Sequence, residues 1–146
     1  MLHLIKSAAD SFLEFIAQDP VRPHIPTSSR VGENRDIFVA RKNDSTARAI
    51  TCVSYQSIVP ESESQLFTPS QEPIVVVFYT IWSYEAGAGR DLIFEARDWI
   101  QKNKPGIQRF VTLSPPTEMA RRFHIKNGAK VYRTNTDTVN YEYDVK

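Results

Sequence analysis

The segment Glu85-Ala86-Gly87-Ala88-Gly89-Arg90 is the part of this sequence best suited to binding a ligand. It follows an apolar stretch and precedes a segment whose apolar residues recur at helical spacing. Glycines let the backbone turn tightly, and the first N–H groups of a helix attract anions, so a phosphate group fits this turn. A purely structural turn between a strand and a helix is the alternative interpretation.

Two well-known phosphate-binding patterns are not met at this turn. No Gly-Lys-Ser/Thr follows it, which excludes the Walker pattern, and Leu92 occupies the position of the third glycine in the dinucleotide fingerprint. The order of the surrounding elements is therefore needed to interpret the turn.

The elements that would position this turn are predicted from apolar periodicity and turn residues. Two Pro-rich polar stretches, 21–34 and 60–73, predict irregular connections. The remaining segments predict, in chain order, a short amphipathic helix at 8–18, strands at 36–41 and 49–55, a strand at 74–82 that is covered on both faces, the strongest helix at 92–100, a strand at 108–113, a helix at 118–128 and a hairpin at 130–134 and 138–143.

The composition indicates one soluble globular domain covering residues 1–146, with 41% hydrophobic and 24% charged residues. A net charge of +1 without a basic stripe gives little support to nucleic-acid binding. Cys52 is the only cysteine, so an internal disulfide and a Cys-rich metal site are excluded, and no metal is predicted. No apolar run approaches the ~20 residues that cross a bilayer, and a cytoplasmic protein without a membrane partner is expected.

The order of elements resembles that of the GNAT acyltransferases over nearly all of residues 8–143. In that family a loop of the form Arg/Gln-x-x-Gly-x-Gly/Ala joins the fourth strand to the third helix, and its backbone amides bind the pyrophosphate of coenzyme A. The resemblance implies an α/β (α+β) fold with a mixed, mainly antiparallel sheet that is splayed between its fourth and fifth strands and flanked by helices.

The same resemblance implies a set of cofactor-binding residues for acetyl-CoA. Tyr84 departs from the family pattern, because Arg or Gln is customary at its position. The implied residues are Tyr84, Glu85, Ala86, Gly87, Ala88, Gly89, Arg90 and Thr117.

The reaction that the resemblance implies is transfer of an acyl group, expected to be acetyl, from coenzyme A to an amine by direct attack. The acceptor would be a small-molecule or peptide amine, and a homodimer is possible. Strand 74–82 contains no carboxylate, so no general base is assigned.

His124 lies where the family often has a tyrosine that protonates the departing thiolate, in the stretch Ala120-Arg-Arg-Phe-His124-Ile-Lys-Asn-Gly128. Its imidazolium, titrating near pH ~6.5, would serve as the proton donor. The alternative is a half-buried helix residue without a chemical role.

Ser114 belongs to the stretch Val111-Thr-Leu-Ser-Pro115, which resembles a stretch of the GNAT-like malonyl-CoA decarboxylases. In such a mechanism the hydroxyl of Ser114 would hold the malonyl carboxylate while His124 protonates the enolate. The alternative role for Ser114 is to cap the following helix.

A third hypothesis is a non-catalytic module that binds coenzyme A or a partner protein. Tyr84, the missing strand carboxylate and the little sequence available for a strand before the first helix favour it.

Overall fold

The fold is built on one seven-stranded sheet in the computed structural model, which describes residues 2–145. The strands lie in the order β1-β2-β3-β4-β5-β7-β6, and only the β4–β5 pair is parallel. The predicted mixed, mainly antiparallel sheet is therefore confirmed. The strands are β1 (Leu2–Leu4), β2 (Arg35–Arg41), β3 (Ala47–Gln56), β4 (Val75–Ser83), β5 (Arg109–Thr112), β6 (Lys130–Thr134) and β7 (Val139–Tyr143).

Two α-helices are present, α1 (Ala88–Asn103) and α2 (Glu118–Lys126), together with 3-10 helices at Ser11–Gln18, Thr27–Ser29 and Glu63–Gln65. The helix predicted at 8–18 is of the 3-10 type. Asp19 ends it, because its carboxylate accepts the amides of Val21 and Arg22 at 2.8 and 3.0 Å and turns the chain. The short β1 also differs from expectation, since three residues before this helix pair antiparallel with β2.

The two faces of the sheet are covered in different ways. On one, here called the helix face, α1 buries Leu92 and Ile100 against the sheet. On the other, here called the loop face, the 3-10 helix Ser11–Gln18 and the connections around it bury Phe12 and Ile16. Residues 75–79 of β4 alternate between the two faces as a strand requires.

The parallel pair of strands separates after four residues. Pairing of β4 with β5 runs from Val75 opposite Arg109 to Phe78 opposite Thr112, and the last bond is from Leu113 N to Phe78 O at 3.1 Å. Beyond it β4 continues, whereas Ser114 pairs with Val139 through two 2.9 Å bonds. The predicted splay between the fourth and fifth strands is thus confirmed.

A β-bulge marks the same level of the sheet. Cys52 pairs with Thr80 and Val53 pairs with Phe78, so Tyr79 is an extra residue on β4. Such a bulge bends its strand. Here it coincides with the level at which β4 and β5 part.

Candidate active site

The split between β4 and β5 contains a cavity of about 520 Å³. Its walls are residues 78–83 of β4 and 113–115 after β5. Gly89, Phe123 and His124 line it on the helix face, and Pro20 and Val21 line it beyond the split. The cavity therefore passes through the sheet from the helix face toward the loop face.

The glycine turn forms the start of α1 beside this cavity. Gly87 has a φ of 80°, a left-handed conformation that favours glycine. The amide of Ala88 bonds to Glu85 O, and the helix's own bonding begins with Asp91 N to Gly87 O, both at 3.2 Å. The amides of Gly89 and Arg90 lie between these donors in the first turn, where N–H groups lack intrahelical partners and can bind an anion.

Gly89 also allows α1 to approach its neighbours closely. A Cβ atom at this position would lie 3.3 Å from the Phe123 ring and 3.8 Å from Ile81. The second glycine thus permits close packing between α1, α2 and β4, whereas the first favours the left-handed backbone of the turn.

The other predicted cofactor residues are distributed around the turn. Glu85 accepts a 2.7 Å bond from Arg48 Nε and lies 3.6 Å from Lys42 Nζ, which ties the turn to β3 and its preceding loop. The guanidinium of Arg90 packs over the Phe94 ring at 5.3 Å. Thr117 lines the cavity with Gly89.

Tyr84 directs its side chain away from the start of α1. Its hydroxyl accepts a 2.9 Å bond from Trp82 Nε1 and donates to Gln18, and its ring contacts Phe15 edge to face. This side chain therefore joins the end of β4 to the first 3-10 helix and does not line the cavity.

His124 is buried in the wall of the cavity, where it stacks on Tyr141 with a centroid distance of 5.0 Å. Its Nδ1 lies 2.7 Å from the hydroxyl oxygen of Tyr143. Burial lowers the pKa of His124 to about 4, because the apolar surroundings disfavour the charged ring. The imidazolium expected near neutral pH is not the form that this environment stabilises, and the ring is neutral at pH 7.

Ser114 is buried in the same wall as His124, and its hydroxyl donates a 2.8 Å bond to Thr112 Oγ1. The helix cap is instead Thr117, whose Oγ1 accepts the amide of Ala120 at 3.2 Å. The capping role considered for Ser114 is therefore wrong, because the helix begins four residues later. The structure brings Ser114 and His124 together in one cavity.

Arg22 lies across the split at the end where β4 and β5 are still paired. Its Nε donates to Tyr79 O and one terminal nitrogen donates to Leu113 O, both at 2.8 Å. These two carbonyls lie on either side of the split, just past the last backbone hydrogen bond between β4 and β5. The Arg22 side chain therefore links the two segments where backbone pairing has ended. The other terminal nitrogen donates to Glu63 at 2.7 Å, and His24 contacts the same carboxylate at 2.5 Å.

Sequence reasoning missed Arg22, since an arginine within a Pro-rich connection carries no periodic or motif signal. Its two carbonyl partners belong to strands that are more than fifty residues away in the chain.

Membrane-spanning helices and metal-binding clusters were both sought among the described residues. No helix among them is long and apolar enough to cross a membrane. No group of three or more His, Cys, Asp or Glu side chains within residues 2–145 could hold a metal ion.

Comparison with solved structures identifies the class of fold. Malonyl-CoA decarboxylase from Agrobacterium vitis has a TM-score of 0.84 at 17% identity over 100% of this chain and 60% of its own. The loading GNATL domain of CurA from Lyngbya majuscula gives 0.70 at 13% identity, covering 99% and 98%. NAA60 from Arabidopsis thaliana, in complex with acetyl-CoA, gives 0.66 at 15% identity, covering 98% of both chains.

This chain therefore has the fold of the GNAT superfamily, as the order of its elements predicted. It spans about 60% of the length of the malonyl-CoA decarboxylases that it resembles. No protein-family model and no curated protein matches it.

Proposed function

We propose that this chain binds a coenzyme A thioester in the split between β4 and β5 and decarboxylates a malonyl-type acyl group. The observation that carries the proposal is the placement of Ser114 and His124 in the wall of one largely apolar cavity beside the start of α1.

The cofactor would bind from the glycine turn inward. The amides of Gly89 and Arg90 and the helix dipole would hold the pyrophosphate, since both favour negative charge at a helix start. The pantetheine arm would enter the split beside Gly89, where the absence of a side chain keeps α1 close to β4. The acyl group would then lie near the Phe78–Thr112 level, between Ser114 and His124.

The chemistry assigned to Ser114 and His124 is loss of carbon dioxide followed by protonation. By rotation about its Cα–Cβ bond, the Ser114 hydroxyl would turn from Thr112 to the substrate carboxylate and orient it. The bond from the carboxyl carbon to Cα breaks, and its electron pair forms the thioester enolate. Cα then takes the ring N–H proton of His124, and the imidazolate that remains takes a proton from water. The products are acetyl-CoA, carbon dioxide and hydroxide.

Two features of the cavity favour decarboxylation over acyl transfer to an amine. None of its described lining residues is a carboxylate that could take a proton from an amine. Apolar surroundings also destabilise the localised charge of a carboxylate, and this charge is spread over the thioester enolate when carbon dioxide leaves. The similarity to decarboxylases, with TM-scores from 0.73 to 0.84, supports the same choice.

Transfer of an acetyl group to an amine is the second candidate function. The cavity continues past the split to Pro20 and Val21, so an acceptor could reach the thioester from the loop face. The similarity to a putative GNAT acetyltransferase from Desulfovibrio desulfuricans and to NAA60 supports this candidate.

The test is to incubate the purified chain with malonyl-CoA in the absence of any amine and to follow carbon dioxide and acetyl-CoA by mass spectrometry. Decarboxylation predicts both products, and Ser114→Ala is expected to lower their rate by about a hundredfold, in the range for loss of one oriented polar group. Binding of acetyl-CoA, which lacks the carboxylate, should be unchanged in this variant.

Two outcomes would overturn the proposal. If malonyl-CoA stays intact while acetyl-CoA acylates a panel of amines, the second candidate replaces the first. A thermal-shift panel with coenzyme A, acetyl-CoA and malonyl-CoA addresses binding, because a ligand of the folded state raises the melting temperature. No shift with any of the three would reject both functions.

A further inference from the structure

The hydroxyl of Tyr143 contacts His124, and Tyr143 itself does not line the cavity. The Nδ1 atom and the hydroxyl oxygen are 2.7 Å apart, and both side chains are buried. The ring of Tyr143 is held edge to face against Phe94 at 6.3 Å. Since Nδ1 is engaged with Tyr143, Nε2 is the ring nitrogen left for the substrate.

A neutral imidazole has one donor nitrogen and one acceptor nitrogen, so the direction of the Tyr143 bond decides what Nε2 can do. If Tyr143 donates to Nδ1, the proton of the ring is on Nε2. If Nδ1 donates to Tyr143, Nε2 carries only a lone pair and acts as a base.

Two observations favour donation by Tyr143. Burial raises the pKa of Tyr143, which keeps the hydroxyl protonated and able to donate. The 2.7 Å contact also joins a phenol hydroxyl, which is a stronger donor than a neutral imidazole N–H, to an imidazole nitrogen, which is a stronger acceptor than a phenol oxygen. The proton between Tyr143 and Nδ1 of His124 is therefore expected to stay on the hydroxyl oxygen.

We propose that Tyr143 is a positioning residue whose hydroxyl donates to Nδ1 of His124 and thereby fixes the ring proton on Nε2. Tyr143 and His124 then form a chain of two donors that ends at the cavity. The catalytic consequence of this tautomer rests on the proposed function. An N–H at Nε2 can protonate an enolate, whereas a lone pair at Nε2 would instead take a proton from an amine acceptor.

The tautomer is measured directly by nitrogen-15 NMR of the imidazole side chains in the full chain. The signal of His124 is identified by its loss in His124→Gln. The wild type is expected to show a protonated Nε2 and an unprotonated Nδ1. In Tyr143→Phe, which keeps the ring and its packing, the signals should move toward a mixture of both tautomers.

Tyr141→Phe is the matched control, because Tyr141 stacks on the imidazole but makes no described hydrogen bond with it. This variant should leave the His124 tautomer unchanged. A protonated Nδ1 in the wild type, or a tautomer that Tyr143→Phe leaves unaltered, would overturn the proposal.

Activity supplies an independent readout. Tyr143→Phe should lower kcat for malonyl-CoA by about tenfold with KM unchanged, since proton transfer is affected while binding is not. Equal kcat in the two proteins would count against the positioning role. The NMR measurement requires no turnover. Failure of decarboxylation in the wild type would therefore reject the proposed function but would leave the assignment of the His124 ring proton to Nε2 valid.

Discussion

Acidification should destabilise this protein through His124, and the size of the effect follows from its burial. The pKa of His124 falls from 6.5 to about 4 on folding. Between these two values the unfolded chain binds a proton that the folded chain excludes, so stability is present above pH 6.5 and is lost as the pH falls toward 4. At about 1.4 kcal/mol per pH unit, the loss is about 2 kcal/mol at pH 5 and about 3 kcal/mol when complete.

The assay is urea unfolding, followed by circular dichroism between pH 7.5 and 4.5, of the wild type and His124→Gln. The variant replaces the imidazole by a neutral amide, so it should be less stable at pH 7 but should lack this part of the pH dependence. The difference between the two curves isolates His124 from the carboxylates. Parallel curves would refute the reasoning, because they would mean that the imidazole is protonated as readily in the folded protein as in the unfolded chain.

Three further predictions concern the turn and the split. Gly87→Asp should weaken coenzyme A binding at least tenfold by calorimetry, since a carboxylate would stand where the proposed function puts the pyrophosphate. Gly128→Ala, which strains a comparable left-handed backbone (φ 96°) elsewhere, should leave binding intact. Gly89→Ala should cost about 1–3 kcal/mol of unfolding free energy through overpacking against the neighbouring helix, and unchanged stability would contradict the close approach. Arg22→Gln should lower the unfolding free energy by about 2–4 kcal/mol because two buried carbonyls lose their donor. Glu63→Gln, at a partly exposed carboxylate, should lower it by less than about 1 kcal/mol. Equal losses in the two variants would show that the ion pair between Arg22 and Glu63 dominates.

The sequence was most informative where periodicity and turn chemistry act locally. The apolar spacing from Leu92 to Ile100 predicted the core of α1, and the continuous apolar run 74–82 predicted β4 to within a residue. The position of the glycine turn between these elements then predicted the fold and the turn from which α1 begins.

Long-range features could not be obtained from local patterns. The contact of Arg22 with two separated strands, and the bond from Tyr143 to His124, join residues that are distant in the chain. The charge state of His124 was also inaccessible, because it depends on how completely β7 and α2 exclude water from the ring.

The split has a consequence for the sheet itself. Past the Phe78–Thr112 pair, β4 and the segment after β5 are no longer paired with each other. Two unpaired strand edges therefore face each other within the seven-stranded sheet. Unpaired strand edges attract other chains, and proteins usually cover or interrupt them. Arg22 covers the inner end of this gap. Along the rest of the split, the two amide groups of a pantetheine arm would pair with the unpaired strand edges. Cofactor binding would then also protect the protein against aggregation.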